Sequence, residues 1–256
     1  MTVTPKKRLG QHFLADENIL RVIERLAELG PGDVALEVGP GLGVLTRFLA
    51  DRVAHVHAVE LDRSLEPHLA ELAARPTVDV HWGDALALDL AALEPHPTKL
   101  VANLPYNIAT PIVAESLAGL PSVELWCVMV QREVADRFFA KPSTKAYGAV
   151  SVLVQLATRR TGFHPVARTV FRPPPNVDSV LVAFRRTELP PGFDRVRQVV
   201  EASFGHRRKT LPNSLALAGL ASREQAVAAL DAIGRAPATR AEELVPPEFV
   251  ALAGAL

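Results

Sequence analysis

The chain has 256 residues, of which 48% are hydrophobic and 22% charged, and its formal net charge is zero. No run reaches the roughly 18 consecutive apolar residues of a membrane-spanning helix, and the neutral charge balance argues against a surface that binds nucleic acid all over. A single cysteine, Cys127, excludes an intrachain disulfide. Because no apolar segment follows the basic residues near the start, we expect a cytoplasmic protein with no secretory signal and no membrane partner.

Helical and strand-like segments alternate along most of the chain. A helix is predicted over 17–29, with Asp16 as its cap. Short apolar runs follow, each separated from the next by enough residues for a helix: VALEVG at 34, VHAVEL at 56, VDVHWGD at 78, KLVANL at 99 and ELWCVMV at 124. This rhythm predicts an α/β fold in which helices cover both faces of a mostly parallel sheet. Two further strands, within 158–171 and 177–186, are expected to lie antiparallel at the edge of the sheet.

The pattern changes at Pro190-Pro191-Gly192. The residues that follow are rich in alanine and leucine and contain no strand-like runs, which predicts short helices at 194–204, 211–218, 222–233 and 240–253. We therefore predict two domains: residues 1–188, which hold the sheet, and residues 189–256, which form a small all-helical domain.

The first apolar run leads into a glycine-rich turn, LEVGPGLGVLT, with glycines at 39, 41 and 43. Such a turn lets the backbone approach a ligand and presents free N–H groups at the start of the next helix. The dinucleotide fingerprint G-x-G-x-x-G fails here, since from Gly39 its third glycine position is Val44. The actual pattern, E-x-G-x-G-x-G, resembles the first motif of methyltransferases that use S-adenosylmethionine.

Acidic residues follow the next two strands. Glu60 stands at the end of VHAVEL, where a carboxylate can accept hydrogen bonds from both hydroxyls of a ribose. Asp84 follows the third strand and is placed to accept a hydrogen bond from an adenine amine. Their neighbours Leu61 and Ala85 are assigned to the same site. Together with Gly39, these strand ends predict a site for an adenosine-containing ligand.

The fourth strand ends in Asn103-Leu104-Pro105-Tyr106, next to the predicted ligand site. An exocyclic aromatic amine is a poor nucleophile because its lone pair is delocalised into the ring. The Asn103 side-chain oxygen and the Leu104 carbonyl could each accept one amine hydrogen and so favour a localised lone pair. Pro105 would hold that carbonyl in place and Tyr106 would stack on the base. This segment predicts methylation of an adenine amine without a strong general base.

A series of short motifs extends over nearly the whole chain: RLGQHFL at 8, LEVGPGLGVLT at 36, VELD at 59, GDAL at 83, NLPYNIATPI at 103, QREVADR at 131, YGAVSVLVQ at 147, VFRPPPNVDSVLV at 170 and FGHRRKTLPNSL at 204. In this order they resemble the ribosomal RNA adenine dimethyltransferase family, whose members modify two adjacent adenosines near the 3′ end of small-subunit ribosomal RNA. The resemblance implies a Rossmann-like sheet of about seven strands with an antiparallel edge. It also implies S-adenosyl-L-methionine as cofactor, S-adenosylhomocysteine as product, and no metal.

The resemblance further implies roles for single residues. His12 and Leu14 would close over the methionine end of the cofactor, and Phe171 would sandwich a flipped adenine against Tyr106. Many relatives carry asparagine where this chain has His12, and a histidine can also donate a hydrogen bond there. The implied cofactor residues are His12, Leu14, Gly39, Gly41, Glu60, Leu61, Asp84, Ala85 and Asn103, and the implied target-site residues are Asn103, Leu104, Pro105, Tyr106 and Phe171.

Basic residues cluster at 6–8, 159–160, 185–186 and 207–209. If these clusters share a face, they form a phosphate-binding track on a neutral protein. The resemblance implies that Arg207, Arg208 and Lys209 contact RNA phosphates, and that the helical domain contacts the ribosome. The expected partner is 16S rRNA in an immature 30S subunit, with a role in its biogenesis, and a monomer is the default expectation.

Two alternatives stay open. A related enzyme that methylates large-subunit adenine, of the macrolide-resistance type, shares the cofactor motifs; the proline-rich link RPPPN and FGHRRKTLPNSL favour the small-subunit enzyme. A non-catalytic ribosome assembly factor could keep the fold without the chemistry. The intact Asn103, Pro105, Tyr106 and Asp84 argue against that second alternative.

Overall fold

The structure, a computed structural model, describes residues 11–14, 16–206 and 208–256. The predictions made for the first ten residues and for Arg207 lie outside this part of the chain. Every helix in the described ranges is too short or too polar to cross a lipid bilayer.

Strands and helices alternate through the first two thirds of the chain, as the apolar runs predict. The strands are β1 Phe13–Leu14, β2 Val34–Val38, β3 His55–Glu60, β4 Val78–Trp82, β5 Lys99–Asn103, β6 Leu125–Gln131, β7 Thr158–Val166, β8 Phe171–Arg172 and β9 Ser179–Arg186. The helices are α1 Glu17–Ala27, α2 Val44–Ala50, α3 Glu66–Ala73, α4 Ala109–Gly119, α5 Arg132–Phe138, α6 Ala149–Ala157, α7 Phe193–Phe204, α8 Leu211–Leu217, α9 Arg223–Ala232 and α10 Pro246–Ala255. The Asp16 side chain caps α1 as predicted, accepting a hydrogen bond from the Asn18 N–H at 2.8 Å.

One seven-stranded sheet has the order β4-β3-β2-β5-β6-β9-β7. The first five strands pair in parallel, and β9 pairs antiparallel with β6. The predicted fold class, a mostly parallel α/β sheet of about seven strands with an antiparallel strand, is confirmed. Strands β2 and β6 are buried on nearly every residue, which is typical of strands covered on both faces.

The last two predicted strands, β9 and β7, lie together at one edge of the sheet, beyond the parallel strands, as predicted. Strand β9 occupies the position between β6 and β7, and its first six residues, Ser179 to Phe184, are all buried. A strand with neighbours on both sides and both faces covered needs a continuous apolar run rather than an alternating one, and SVLVAF is such a run.

Contacts divide the chain into two compact units. The first runs to Ala135 and includes Arg160–Arg186, and the second comprises Asp136–Arg159 and Thr187–Leu256. The predicted domain boundary near residue 188 stays a prediction. The two units are not divided at that residue alone, because α6 groups with the C-terminal helices. Within the second unit, the buried Tyr147 hydroxyl donates a hydrogen bond to the Leu244 carbonyl at 2.8 Å, which joins the segment before α6 to the C-terminal region.

Arg186, at the end of β9, has a structural role in the first unit. Its guanidinium donates hydrogen bonds to the carbonyls of Val123 at 2.6 Å, Leu117 at 2.8 Å and Leu120 at 2.8 Å. The guanidinium carbon also lies 4.8 Å from the centre of the Trp126 ring. Because these carbonyls belong to the end of α4 and the turn after it, Arg186 satisfies acceptors that the helix itself leaves unpaired. The side chain is therefore engaged within the protein and does not serve the predicted phosphate track.

We expect the Arg186→Gln substitution to lower the free energy of unfolding by about 3 kcal/mol, because charge-assisted hydrogen bonds are lost and carbonyls are left unpaired. The neighbouring Arg185→Gln variant is the control. Arg185 is ion-paired with Glu28 on the surface, and such pairs contribute less than about 1 kcal/mol. Urea unfolding of both variants checks this. Equal losses in the two variants would contradict the structural role of Arg186.

Candidate active site

The carboxyl ends of β2, β3, β4 and β5 open on one cleft in the first unit, with a volume of about 890 Å³ that includes space open to solvent. Parallel strands end at the same edge of a sheet, so ligand-binding groups from different strands meet there. The predicted site residues that line this cleft are His12, Gly39, Gly41, Glu60, Leu61, Asp84, Ala85, Asn103, Leu104, Pro105 and Tyr106.

The glycine turn forms the floor of the cleft by close packing. Gly39 has φ of 78°, and a Cβ on it would lie 3.1 Å from the ring of Pro105. Gly41 has φ of 58°, and a Cβ there would lie 2.8 Å from the ring of Phe13. Both positions combine a left-handed backbone with a close neighbour, and only glycine satisfies both conditions. The turn is thereby packed against the target-site segment on one side and the N-terminal segment on the other.

Glu60 is held by backbone donors on both carboxyl oxygens. Its Oε2 accepts from the Gly41 N–H at 3.1 Å and its Oε1 accepts from the Asp62 N–H at 2.8 Å. Burial raises the pKa of Glu60, and these two hydrogen bonds oppose the rise because they stabilise the carboxylate. Each oxygen keeps a further lone pair, so the residue can still accept the hydroxyls of a ribose.

Asp84 lies at the exposed rim of the cleft, immediately after β4. Its Oδ1 accepts a hydrogen bond from the Leu86 N–H at 3.0 Å. This bond closes a local turn and fixes the direction of the carboxylate. Its other oxygen remains an acceptor. The neighbouring Ala85 is buried and lines the cleft beside it.

The Asn103 amide is oriented by a contact with the N-terminal segment. Its Nδ2 donates to the backbone carbonyl of His12 at 3.0 Å, and a carbonyl can only accept, so the assignment of nitrogen and oxygen is fixed by chemistry. The amide oxygen Oδ1 then remains to accept from a ligand in the cleft. Next to it, the Leu104 N–H donates to the Met129 carbonyl at 3.1 Å, which anchors the start of the turn to β6.

Tyr106 is anchored at its hydroxyl end. The hydroxyl lies 2.6 Å from the Ser179 hydroxyl on β9, and burial raises the pKa of this phenol. The ring of His12 lies beside it, with ring centres 5.5 Å apart, and the His12 Nδ1 donates to the Pro173 carbonyl at 2.8 Å. An aromatic surface for stacking is thus held in place within the cleft.

Two predicted residues are not brought into the cleft. Phe171 is fully buried in the hydrophobic core, where β8 pairs with β1 and Phe171 stands opposite Leu14. Leu14 is also a core residue and borders a smaller cavity beside Gly41. The Phe171 ring thus packs in the core beside β1 rather than lining the cleft, and its contact with a target adenine stays a prediction. Of the predicted RNA residues, Arg208 and Lys209 are exposed in the second unit.

The sequence analysis missed two residues that support the site. Ser179 positions Tyr106, but 73 residues separate them and no local pattern links the two. Glu37, the first letter of E-x-G-x-G-x-G, is fully buried beneath the glycine turn, and its Oε2 has no hydrogen-bond partner among the described residues. Burial raises the pKa of Glu37 to about 8, with the negative charge of Glu60 adding to the rise. An acidic residue inside an apolar strand was the available signal.

This fold and this cleft are those of a Rossmann-like methyltransferase. Solved structures with the same fold include a dimethyladenosine transferase from Plasmodium falciparum, with a TM-score of 0.77 and 24% identity over 94% of this chain and 96% of that one. The 23S rRNA methyltransferase ErmE has a TM-score of 0.65 and 29% identity, over 95% of this chain and 99% of that one.

The sequence comparisons identify the family. A model of the ribosomal RNA adenine dimethylase family matches residues 3–245. The ribosomal RNA small subunit methyltransferase A of Rubrobacter xylanophilus is 49% identical over 98% of this chain and 95% of its own length, and that of Lactiplantibacillus plantarum is 45% identical over 98% and 90%. The chain therefore belongs to the ribosomal RNA adenine dimethylase family, and the resemblance seen in the motifs is confirmed. Membership implies S-adenosylmethionine as the methyl donor.

Proposed function

We propose that the protein dimethylates N6 of two adjacent adenosines near the 3′ end of 16S rRNA, in an immature 30S subunit. The arrangement of Asn103 carries the proposal, because its amide nitrogen is occupied by the His12 carbonyl and its oxygen is left to accept an amine hydrogen. The small-subunit relatives match this chain at 45–49% identity, against 29% for the large-subunit enzyme, which favours the small subunit.

The cleft fits S-adenosylmethionine. The glycine turn provides a cradle that Cβ atoms would fill, Glu60 can accept the ribose hydroxyls, and Asp84 can accept the adenine amine. When bound, the cofactor supplies an activated methyl group. Leu61 and Ala85 would border the adenine, and His12 would close the cleft on the side of the N-terminal segment.

The chain's own residues prepare the target amine. The Asn103 Oδ1 and the Leu104 carbonyl each accept a hydrogen bond from the amine. This favours a pyramidal nitrogen, whose lone pair is localised on the nitrogen and not delocalised into the ring. Tyr106, fixed by Ser179, stacks on the base. As positive charge builds on the nitrogen, its proton becomes acidic enough to pass to water, so the site needs no strong base.

Subunit choice tests this proposal against its closest alternative. Small subunits and large subunits, each purified from cells that lack the corresponding modification, are offered together with tritiated S-adenosylmethionine. We expect label in the small subunit alone. Label in the large subunit would move the assignment to the macrolide-resistance type of enzyme.

The Glu60→Gln variant is expected to bind S-adenosylhomocysteine about 10–100-fold more weakly. Glutamine has one acceptor oxygen and its NH₂ group opposes the backbone N–H groups that now orient the carboxylate. Glu66→Gln, an exposed carboxylate on α3, is the matched control. Isothermal titration with the product measures both. Unchanged affinity in Glu60→Gln would remove Glu60 from the cofactor site.

Phe171 needs a pair of variants because its ring is buried. Phe171→Ala is expected to lower the free energy of unfolding by about 3–5 kcal/mol through a core cavity. Phe171→Leu keeps most of the packing and removes the aromatic face. If the strand β1 moves aside and the ring stacks on the base, Phe171→Leu lowers turnover without weakening cofactor binding; if turnover is unchanged, the residue is structural only.

Three narrower proposals accompany the main one. We infer that the exposed Arg208 and Lys209, with Arg207, contact RNA phosphates. The enzyme acts in the cytoplasm, since its substrate is a ribosomal subunit. It acts there as a monomer. The reaction uses no catalytic metal, because the amine is activated by hydrogen-bond acceptors.

A further inference from the structure

A cluster of three imidazoles and one carboxylate lies outside the cleft, on β3 and β4. His55 and His57 alternate along β3, and Asp79 and His81 alternate along β4, so each pair projects on one face of its strand. In the parallel register His57 stands opposite Asp79, and Val59 stands opposite His81. All four side chains therefore lie on the same face of the sheet, with β4 as its edge strand.

The distances between the donor atoms are those of a ligand set. His55 Nε2 lies 2.9 Å from Asp79 Oδ2, His57 Nδ1 lies 3.1 Å from His81 Nε2, and His57 Nδ1 lies 3.8 Å from Asp79 Oδ2. The donor atoms of His55, His57 and Asp79 all lie within 4.8 Å of one another. Ligands of a tetrahedral Zn²⁺, each at about 2.0–2.1 Å, lie about 3.3 Å apart. His81 lies beside these three residues, with its Nε2 3.1 Å from His57 Nδ1, and supplies the fourth ligand atom of the cluster.

The buried His57 is already in the required tautomer. Its Nε2 lies 2.8 Å from the Pro95 carbonyl, which can only accept, so the proton is on Nε2 and the lone pair is on Nδ1, facing the cluster. A ligating histidine that donates its other N–H to a backbone carbonyl is the usual second-sphere arrangement at zinc.

We propose that His55, His57, Asp79 and His81 form a structural site for a divalent transition-metal ion, with zinc as the best match. Three nitrogens and one oxygen suit zinc, whereas magnesium and calcium prefer oxygen ligands. The ion replaces the shared protons of the pairs His55–Asp79 and His57–His81. It thereby cross-links the edge strand β4 to β3. The sequence analysis predicted no metal, so this site departs from that expectation.

The site stabilises the fold and takes no part in the chemistry. Glu60 is three residues beyond His57 along β3, about 10 Å at the rise of a strand, and the alternation of the strand places its side chain on the opposite face of the sheet. With four protein ligands the ion keeps no open position for a substrate. Chelation is therefore expected to lower thermal stability while the affinity for S-adenosylhomocysteine at 25 °C stays the same.

The test uses the full chain without a histidine tag, stripped with EDTA, dialysed and titrated with Zn²⁺ or Co²⁺. We expect one ion per chain, a visible absorption band typical of tetrahedral Co²⁺, and a rise in Tm of about 5 °C at saturating Zn²⁺. Asp79→Asn and His55→Gln each replace one ligand of the pair that joins β4 to the start of β3, and leave the buried His57 in place. His96→Gln, an exposed histidine outside the cluster, is the matched control.

Both ligand variants are expected to lose Co²⁺ absorption and the Zn²⁺-dependent rise in Tm, while His96→Gln keeps them. Circular dichroism confirms that each variant is folded. Absence of stoichiometric binding to the native chain would overturn the proposal. So would binding that survives in Asp79→Asn and His55→Gln alike, since the ion would then occupy other residues.

Discussion

Replacing Asn103 with alanine is expected to lower methyl transfer to small ribosomal subunits about 10²–10³-fold. Because the Asn103 amide nitrogen donates to the His12 carbonyl, the amide oxygen is the atom that accepts a hydrogen from the target amine. Loss of one preorganised hydrogen bond to the transition state has an effect of this size. The affinity for S-adenosylhomocysteine is expected to change less than about 10-fold, because Glu60 and the glycine turn remain. Filter-binding assays of labelled subunits and product titration measure the two effects.

Asn18→Ala is the matched control, since Asn18 is an exposed asparagine on α1, outside the cleft. The same Asn103→Ala protein also separates catalysis from ribosome binding. We expect it to bind the immature small subunit as the native chain does. Loss of subunit binding together with transfer would mean that Asn103 supports the structure of the RNA-binding surface, and the catalytic assignment would fail.

The second large effect concerns Glu37 and the pH dependence of stability. Glu37 has a pKa of about 8 in the folded chain, against 4.5 for the ordinary group. At a pH between these two values, Glu37 is protonated in the folded chain and ionised in the unfolded chain. The free energy of unfolding therefore falls as pH rises through this window, and levels off above pH 8. Because glutamine does not titrate, the Glu37→Gln variant does not show this fall in the free energy of unfolding.

We expect Glu37→Gln to gain stability relative to the native chain as pH rises from 5 to 8, by on the order of 3 kcal/mol in total. Urea unfolding at pH 5, 6, 7 and 8 without cofactor measures the difference. Glu66→Gln, an exposed carboxylate, is the control and should show no such trend. Parallel pH profiles for Glu37→Gln and the native chain would contradict a neutral Glu37 in the folded protein.

Most of the sheet and the cleft could be predicted because their signals are local. The apolar runs mark the parallel strands, and Gly39, Glu60, Asp84 and Asn103 each lie at the end of a strand or within two residues of it. Parallel strands end on one edge, so a local pattern repeated four times also predicts a meeting point in space. The inner position of β9, between β6 and β7, agrees with its continuous apolar run, since a strand with an exposed face would alternate.

The remaining features depend on contacts between distant residues. The motif VFRPPP reads the same whether the Phe171 ring faces the cleft or the core, and only its pairing opposite Leu14 decides between them. Arg186 resembles any surface arginine until the end of α4 is placed beside it. The H-x-H and D-x-H patterns of β3 and β4 become one cluster only through the register of the two strands.

The most direct test of the central claim is nucleoside analysis of the reaction product. Small subunits from cells lacking the modification are incubated with the protein and S-adenosylmethionine, and the 3′-terminal hairpin of their 16S rRNA is digested and analysed by mass spectrometry. We expect two N6,N6-dimethyladenosines per subunit, at adjacent positions. Unmodified adenosine in the presence of measured cofactor binding would contradict it.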